Sequence, residues 1–302
     1  MNFDLSDDQV ALRDGIRSLL DGRFPMSRVR EGFDRAAYDD LREAGVFSLR
    51  ADGFGWTDAA IVYEELGRAL VPGPLVWTFG REVITGGLDL TVGGTMYAEH
   101  LEAIEELLVL DDDSISAVDP STLTAAPADW PLDPLTPVSA VEALPGLTPA
   151  GDAASLTALW SEGALLTSAY CVGMADALVD LAVAYAKVRE QFNRPIGSFQ
   201  AVKHLCADMV VRTEVARAAV YAAACVMDDP DTGNVVRSLS GAKLLANEAA
   251  ITNGKSATQV FGGMGFTWEV DVHLYLKRAW VLDTHFGSTD HHADQVAALL
   301  TR

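Results

Sequence analysis

The segment REQFNRPIGSFQ at residues 189–200 has the residue types of a phosphate-binding site. It joins a basic side chain, Arg189, to an aromatic one, Phe192, in a stretch whose Pro and Gly interrupt two helical patterns. A guanidinium can pair with a phosphate through two parallel hydrogen bonds, and an aromatic ring can form the wall of a binding site. Alternatively, Arg189 only caps a helix, because cations stabilise helix C-termini. Residue types alone leave both interpretations open.

A second candidate is the segment QVFGGMGF at residues 259–266, which closes another helical pattern. Clustered glycines let a ligand approach the backbone, so that N–H groups can donate to phosphate or carbonyl oxygens. The alternative is a simple helix stop, although one glycine is enough for that and this segment has three. No GxGxxG follows a strand here, so a Rossmann dinucleotide site is excluded.

Three histidines and an acidic triplet raise the question of a metal site. His291 and His292 are adjacent and would point apart on a helix, and no carboxylate recurs at ligand spacing around them or His285. The acidic triplet at 111–113 lacks the spacing of an EF-hand. We therefore expect that no metal is bound. The histidines should be solvated or lie at an interface, and the acidic triplet should form a hydrated turn.

The elements that position these residues divide the chain into three parts. Helical periodicity dominates residues 1–90, short apolar runs with frequent prolines dominate 91–151, and longer helical stripes return over 152–302. The expected fold is mainly α with a small β module, in the order N-terminal helical domain, β module, C-terminal four-helix bundle.

Local signals place individual elements within these parts. Ser6 precedes two acidic residues and is suited to cap the first helix. Further elements are predicted as helices over 38–44 and 59–70 and as strands over 107–110 and 115–118.

Composition excludes several classes of protein. The chain has 43 acidic and 22 basic residues in 302, a net charge of −21, so it would be repelled by nucleic acid and by anionic membranes. No uninterrupted apolar run reaches about 18 residues, and the acidic start is unlike a signal peptide, so we expect a cytoplasmic protein. Cys171, Cys206 and Cys225 lie in apolar helical patterns without CxxC, which predicts reduced, buried thiols.

The motifs taken together resemble one enzyme family. They are REQFNRPIGSFQAVKHLCADM (189–209), QVFGGMG (259–265), LREAGV (41–46) and EELGR (64–68). This set closely resembles the acyl-CoA dehydrogenase family and comes from both helical parts. The resemblance implies helical, β-barrel and helical domains in that order, here with a truncated β domain.

The resemblance also implies FAD at a subunit interface, seated mainly on one chain and reached by the C-terminal domain of its neighbour. Six residues match family positions that contact FAD: Arg189, Phe192 and Gln200 at the pyrophosphate region, and Gln259, Gly262 and Gly263 along the ADP half. Between residues 91 and 107 we find no counterpart of the family's loop that seats the flavin ring and the thioester.

The family reaction removes an α-proton and a β-hydride from an acyl-CoA thioester, so it needs a carboxylate base, a Glu in the family. In the matching stretch THFGSTD, residues 284–290, Phe286 occupies the Glu position. Some relatives carry the base on the first bundle helix, where Gly163 takes its place and Glu162 is rotated by about 100° to another face. The remaining candidate bases are Glu162 and Asp283.

The leading hypothesis is the smaller, degenerate subunit of a heteromeric, α2β2-type enzyme, resembling actinobacterial enzymes for steroid-derived CoA thioesters. A larger partner subunit would supply the catalytic Glu and most FAD contacts, and electron-transfer flavoprotein would accept the electrons. The isolated chain would then be inactive. The alternatives are a self-sufficient homo-oligomeric dehydrogenase using Glu162 or Asp283, and a flavin-free scaffold.

Overall fold

The computed structural model describes residues 5–88, 90–92 and 94–300, so the outer limits of the predicted domains, residues 1 and 302, lie outside it. Helices come first along the chain: α1 (Asp7–Arg23), α2 (Met26–Val29), α3 (Arg35–Glu43), α4 (Trp56–Arg68) and α5 (Leu75–Thr78).

The sequence signals for the first helices are confirmed within a few residues. Ser6 caps α1 by accepting a hydrogen bond from the Gln9 backbone, and the Gln9 side chain accepts one from the Ser6 N–H. Helix α3 ends just before Gly45, whose φ of 79° is the left-handed conformation usual after a helix. The helices predicted over 38–44 and 59–70 each begin and end earlier, at 35–43 and 56–68.

The middle of the chain forms two four-stranded sheets. Their strands are β1 (Thr85–Leu88), β2 (Leu90–Val92), β3 (Thr95–Glu99), β4 (Glu106–Leu110), β5 (Ile115–Val118), β6 (Ala125–Pro127), β7 (Val138–Val141) and β8 (Thr148–Gly151). One sheet has the order β1-β4-β5-β8, with β1 and β4 parallel, and the other has the order β2-β3-β7-β6 and is antiparallel. The predicted strands at 107–110 and 115–118 are confirmed as a hairpin that pairs Leu108 with Ala117. The acidic triplet is the exposed turn of this hairpin.

The C-terminal part is a helical bundle. Its elements are α6 (Ala153–Val188), a short hairpin of β9 (Glu190–Gln191) and β10 (Arg194–Pro195), then α7 (Gln200–Asp228), α8 (Val235–Phe261), α9 (Val272–Leu282) and α10 (Thr289–Leu300). Side-chain caps begin the long helices: Asp152 accepts from the Ser155 N–H, and Asn234 accepts from the Arg237 N–H. Helices α9 and α10 both pack on α8, and Phe286 lies in the connection between them.

The N-terminal helices dock on the bundle through glycines and buried charges. A Cβ at Gly67 would lie 1.9 Å from the Tyr170 carbonyl oxygen, and one at Gly173 would lie 1.8 Å from that of Glu64. Backbones of α4 and α6 can therefore approach closely only because both residues are glycine. Arg217 of α7 pairs with Glu64 at 2.8 Å, which adds a charged contact to this interface.

Helix α6 is long and apolar enough to cross a membrane by length and composition alone. However, 78% of its most apolar 18-residue stretch is buried inside the protein. A helix that is apolar on all sides is also what the centre of a bundle requires. We therefore interpret α6 as the core helix around which α4, α7 and α8 pack.

Candidate functional site

The two ligand-binding segments of the sequence lie at the same end of the bundle. The ring of Tyr185, near the end of α6, stacks on that of Phe261, the last residue of α8, with centroids 4.1 Å apart. The Tyr185 hydroxyl also contacts the Met264 sulfur at 3.7 Å. These contacts place the Arg189 segment beside the glycine segment, which is what binding of one ligand by both requires.

Phe192 is presented to solvent on a strained turn. The β9–β10 hairpin turns at Phe192 and Asn193, whose φ angles of 54° and 60° are the left-handed values of a type I′ turn. Phenylalanine rarely adopts this conformation, and the Phe192 side chain is 85% exposed. Residues held in such conformations cluster at ligand-binding sites, because the surrounding structure must enforce them.

The other predicted FAD contacts are exposed at this end as well. Arg189, Gln200 and Gln259 are all exposed, and within the described part of the chain the Arg189 guanidinium forms no ion pair or hydrogen bond. Residues 187–203 carry four basic side chains and one acidic one, although the whole chain has a net charge of −21. This local positive charge favours an anionic ligand.

The two glycines of the second segment differ in what they require. Gly262 has φ 63° and ψ −139°, a conformation open essentially only to glycine, and it ends α8. Gly263 has an ordinary φ, and a Cβ there would meet nothing within 4 Å. The fold therefore requires glycine at position 262 but not at position 263.

Buried aromatic rings fill the position of the family base. We call this cluster of Phe286, Trp77 and Trp160 the plug. Phe286 is 0% exposed, and its ring would lie 2.2 Å from a Cβ at Gly163. Trp77 packs on it with ring centroids 4.5 Å apart, and Trp160 contacts it edge-on at 6.2 Å. The two positions at which the family resemblance implies a base are thus neighbours in space, and neither can take a proton.

The two remaining candidate carboxylates, Glu162 and Asp283, lie in different surroundings. Burial raises the pKa of Glu162, and the charges that act against this shift are Arg81 and Arg50 of the N-terminal part. Asp283 accepts hydrogen bonds from Asn247 Nδ2 at 2.6 Å and from Thr289 Oγ1 at 2.5 Å. It therefore ties α8 to the α9–α10 connection.

The expectation of solvated or interface histidines is wrong for His292 and agrees with exposed His291, and for His285 it stays a prediction. His292 is buried, and its ring nitrogens lie 3.1 Å from Ser240 Oγ and 2.9 Å from the Phe286 carbonyl oxygen. His285 lies 3.0 Å from Glu99, largely out of solvent. Only His291 is exposed. Among the described residues, no group of three His, Cys, Asp or Glu side chains is arranged to hold a metal.

The expectation for the cysteines is corrected in part. All three are free thiols, but only Cys171 is buried, whereas Cys206 and Cys225 are half-buried. The latter two lie on α7, whose outer face is open to solvent along much of its length.

A buried polar cluster that the sequence did not predict lies between the β module and the bundle. Arg278 of α9 pairs with Asp133, both buried, beside the Glu99–His285 pair. Burial opposes ionisation of Glu99, yet contact with His285 outweighs it and lowers the Glu99 pKa. A charged residue inside the apolar pattern of α9 was the available signal, because a buried cation requires a partner.

The buried histidines predict a loss of stability in mild acid. Burial lowers the pKa of both His100 and His292 to about 4, from 6.5. Between pH 6.5 and 4 the unfolded chain binds protons that the folded chain does not, so stability falls as the pH falls. Each histidine contributes about 1.4 kcal/mol per pH unit across this range.

Urea denaturation at pH 7.5, 6.5, 5.5 and 4.5 checks this prediction. The free energy of unfolding should be flat above pH 6.5 and decrease below it, with a shallower slope for His292→Gln. Exposed His204 supplies the control, since His204→Gln should leave the slope unchanged. A flat profile down to pH 4.5 contradicts the assignment.

Comparison with known proteins agrees with this geometry. Residues 154–301 match the family described as acyl-CoA dehydrogenase, C-terminal domain. Acyl-CoA dehydrogenase IpdE2 of Mycobacterium tuberculosis is 37% identical over 74% of this chain and 71% of its own length. The chain belongs to the acyl-CoA dehydrogenase family. Acyl-CoA dehydrogenase FadE34 of the same organism is 32% identical over 98% of this chain. The chain spans about half of that relative's length, 48%.

The chain superposes on solved structures with the acyl-CoA dehydrogenase fold over nearly its whole length. The ChsE4–ChsE5 complex from Mycobacterium tuberculosis superposes with a TM-score of 0.83 at 20% identity, over 100% of this chain and 99% of the other. Tcur3481–Tcur3483, described as a steroid ACAD, gives 0.78 at 18% identity over 98% of each chain. At these identities the likeness establishes the fold, and it confirms the mainly α class with a small β module.

Proposed function

We propose that this chain is the smaller, non-catalytic subunit of a heteromeric acyl-CoA dehydrogenase. A larger partner subunit supplies the Glu that takes the α-proton, and the complex introduces an α,β double bond into an acyl-CoA thioester. The observation that carries the proposal is the plug at Phe286, which fills the base position with buried aromatic rings. A chain of this family without a base needs one from elsewhere to catalyse the reaction.

The residues at the exposed end of the bundle fit the polyphosphate half of FAD. Arg189 has a guanidinium free to pair with a pyrophosphate, and Gly263 leaves its backbone open to a ligand. Phe192 offers an exposed ring and Gln200 and Gln259 offer amides for hydrogen bonds. FAD, when bound, accepts the hydride from the β-carbon. Arg189 directly follows α6, whereas Gly163, against which Phe286 packs, lies in the first third of that helix. This separation along α6 supports sharing of the cofactor with a partner chain.

The proposal extends to the substrate, the electron acceptor and the location. The fold matches a protein described as a steroid ACAD and a two-component complex, ChsE4–ChsE5, which supports a steroid-derived thioester and an α2β2-type assembly. Electron-transfer flavoprotein is the expected acceptor, and the cytoplasm is the expected location. The charge of −21 argues against nucleic acid and anionic membranes as partners.

The test is to purify the chain alone and co-expressed with a full-length family member that retains the Glu. Dehydrogenation of acyl-CoA is followed with an artificial electron acceptor. We expect turnover only from the co-expressed pair. Turnover by the isolated chain overturns the proposal.

Glu162→Gln separates this function from a self-sufficient enzyme. Because the partner supplies the base in this proposal, the variant should keep the turnover of the complex within about twofold of wild type. If Glu162 or Asp283 were the base, its amide variant would instead lose several orders of magnitude in kcat. Asp283→Asn therefore accompanies it, with a melting curve to confirm that the α8–α9 contact survives.

The Gly263→Ala variant tests whether Gly263 contacts the cofactor or is needed only for the fold. The added methyl meets nothing within 4 Å, so the melting temperature of the isolated chain should change by no more than about 1 °C. In the complex, the methyl would stand between the backbone and the ligand, and FAD should dissociate several-fold faster. Gly15→Ala, at an equally open glycine of α1, is the matched control. Unchanged FAD retention favours a flavin-free scaffold.

A further inference from the structure

A small cavity lies between the β module and helices α5, α6 and α9, apart from the exposed end of the bundle. Its volume is about 40 Å³, and its lining includes Trp77 on the side of the plug and the Glu99–His285 pair on the side of the β module. It is far too small for an acyl chain, and the proposed function assigns it no part.

Three buried polar atoms on its lining residues have no hydrogen-bond partner among the described residues. They are Arg278 Nη2, Thr167 Oγ1 and His100 Nδ1, on side chains that are 4%, 0% and 3% exposed. A buried polar group without a partner is costly, so such groups are nearly always satisfied by protein or by ordered water. Three of them around one cavity indicate a ligand there.

The conformation of Thr167 supports this interpretation. Buried hydroxyls elsewhere in the bundle donate to the carbonyl four residues earlier, as Ser168 does to Ala164, Thr213 to Met209 and Thr258 to Gly254. Thr167 sits in the same kind of helix and makes no such bond. A serine or threonine in a helix normally takes that bond unless its hydroxyl serves another partner.

The charges around the cavity define the ligand as neutral. Arg278 is already balanced by Asp133, and its Nη1 lies 3.2 Å from the Tyr170 hydroxyl. Glu99 is balanced by His285, and burial keeps the His100 ring uncharged by lowering its pKa to about 4. An added anion would lie beside two carboxylates without a free cation to neutralise it.

Size and chemistry together identify water. A buried water needs about 10–15 Å³ of such space and two to four polar partners, so this cavity has room for two or three molecules. Water can accept from Arg278 Nη2 and can donate to or accept from Thr167 and His100. We infer that the cavity binds a cluster of two or three ordered water molecules that joins His100 of the β module to Thr167 of α6 and Arg278 of α9.

Thr167→Val tests the inference by the sign of its effect. If water binds Thr167, the variant removes one of its partners and lowers the melting temperature of the full chain by about 2–4 °C. If the cavity is dry, the same change removes an unsatisfied hydroxyl, and the melting temperature stays the same or rises. The control is Thr258→Val, which loses only a bond within its own helix and should shift by less than about 1 °C.

A crystal structure of the wild-type chain, with a bromide soak, gives a second and independent measurement. We expect electron-density peaks at hydrogen-bond distance from Thr167 Oγ1 and Arg278 Nη2, without anomalous signal from bromide. An empty cavity, or bromide bound at that position, would overturn the inference.

Discussion

Arg189→Ala is expected to weaken retention of FAD by the assembled complex about ten- to a hundredfold. A hydrogen-bonded contact to a charged group contributes about 1.5–3 kcal/mol, and a guanidinium that faces a pyrophosphate makes such contacts through two nitrogens. Arg189 is exposed and forms no ion pair within the described chain, so its removal should leave the fold intact. The measurement is the rate of flavin release on dilution, followed by fluorescence.

The control for Arg189 is Arg237→Ala. Arg237 is also an exposed arginine, but it lies in the first turn of α8, at the opposite end of that helix from Gly262. Its loss changes the net charge equally and should leave flavin release unchanged. Equal effects of the two variants would mean that general electrostatics, rather than a contact at Arg189, retains the cofactor.

Phe286→Ala is expected to lower the free energy of unfolding by about 3–5 kcal/mol. Truncation of a fully buried Phe removes its transfer free energy and leaves a cavity beside Gly163 and Trp77 that helices cannot easily close. The residue also carries a left-handed φ of 51°, so tertiary packing must hold its backbone in place. Urea denaturation of the full chain measures the change.

Phe192→Ala is the matched control for the plug. It truncates the same side chain, in the same left-handed conformation, at a position 85% exposed. Its effect on unfolding should lie within about 0.5 kcal/mol of zero. A loss at Phe286 no larger than at Phe192 would show that the base position is open rather than filled, and would remove the structural basis for a non-catalytic chain.

Local features of this fold could be predicted from the sequence because they depend on near neighbours. The Ser6 cap needs only a residue three positions away, and the hairpin of β4 and β5 needs only alternation around an acidic turn. The family resemblance implied that the Arg189 segment and the glycine segment serve one cofactor, and the ends of α6 and α8 do lie side by side.

The features that the sequence did not predict depend on distant partners. The plug joins Phe286 to Gly163 across 123 positions, and Arg278 pairs with Asp133 across 145. His292 was expected to be solvated or at an interface, yet it is buried and α8 supplies Ser240 as its partner. Burial depends on tertiary packing, and a single sequence does not show which distant residues pack against each other.

The ratio of FAD to protein in the purified complex tests the shared site most directly. We expect one FAD for every two chains when this polypeptide is isolated with its larger partner, and none when it is isolated alone. One FAD bound to each copy of the lone chain, with acyl-CoA oxidised at that flavin, would contradict it.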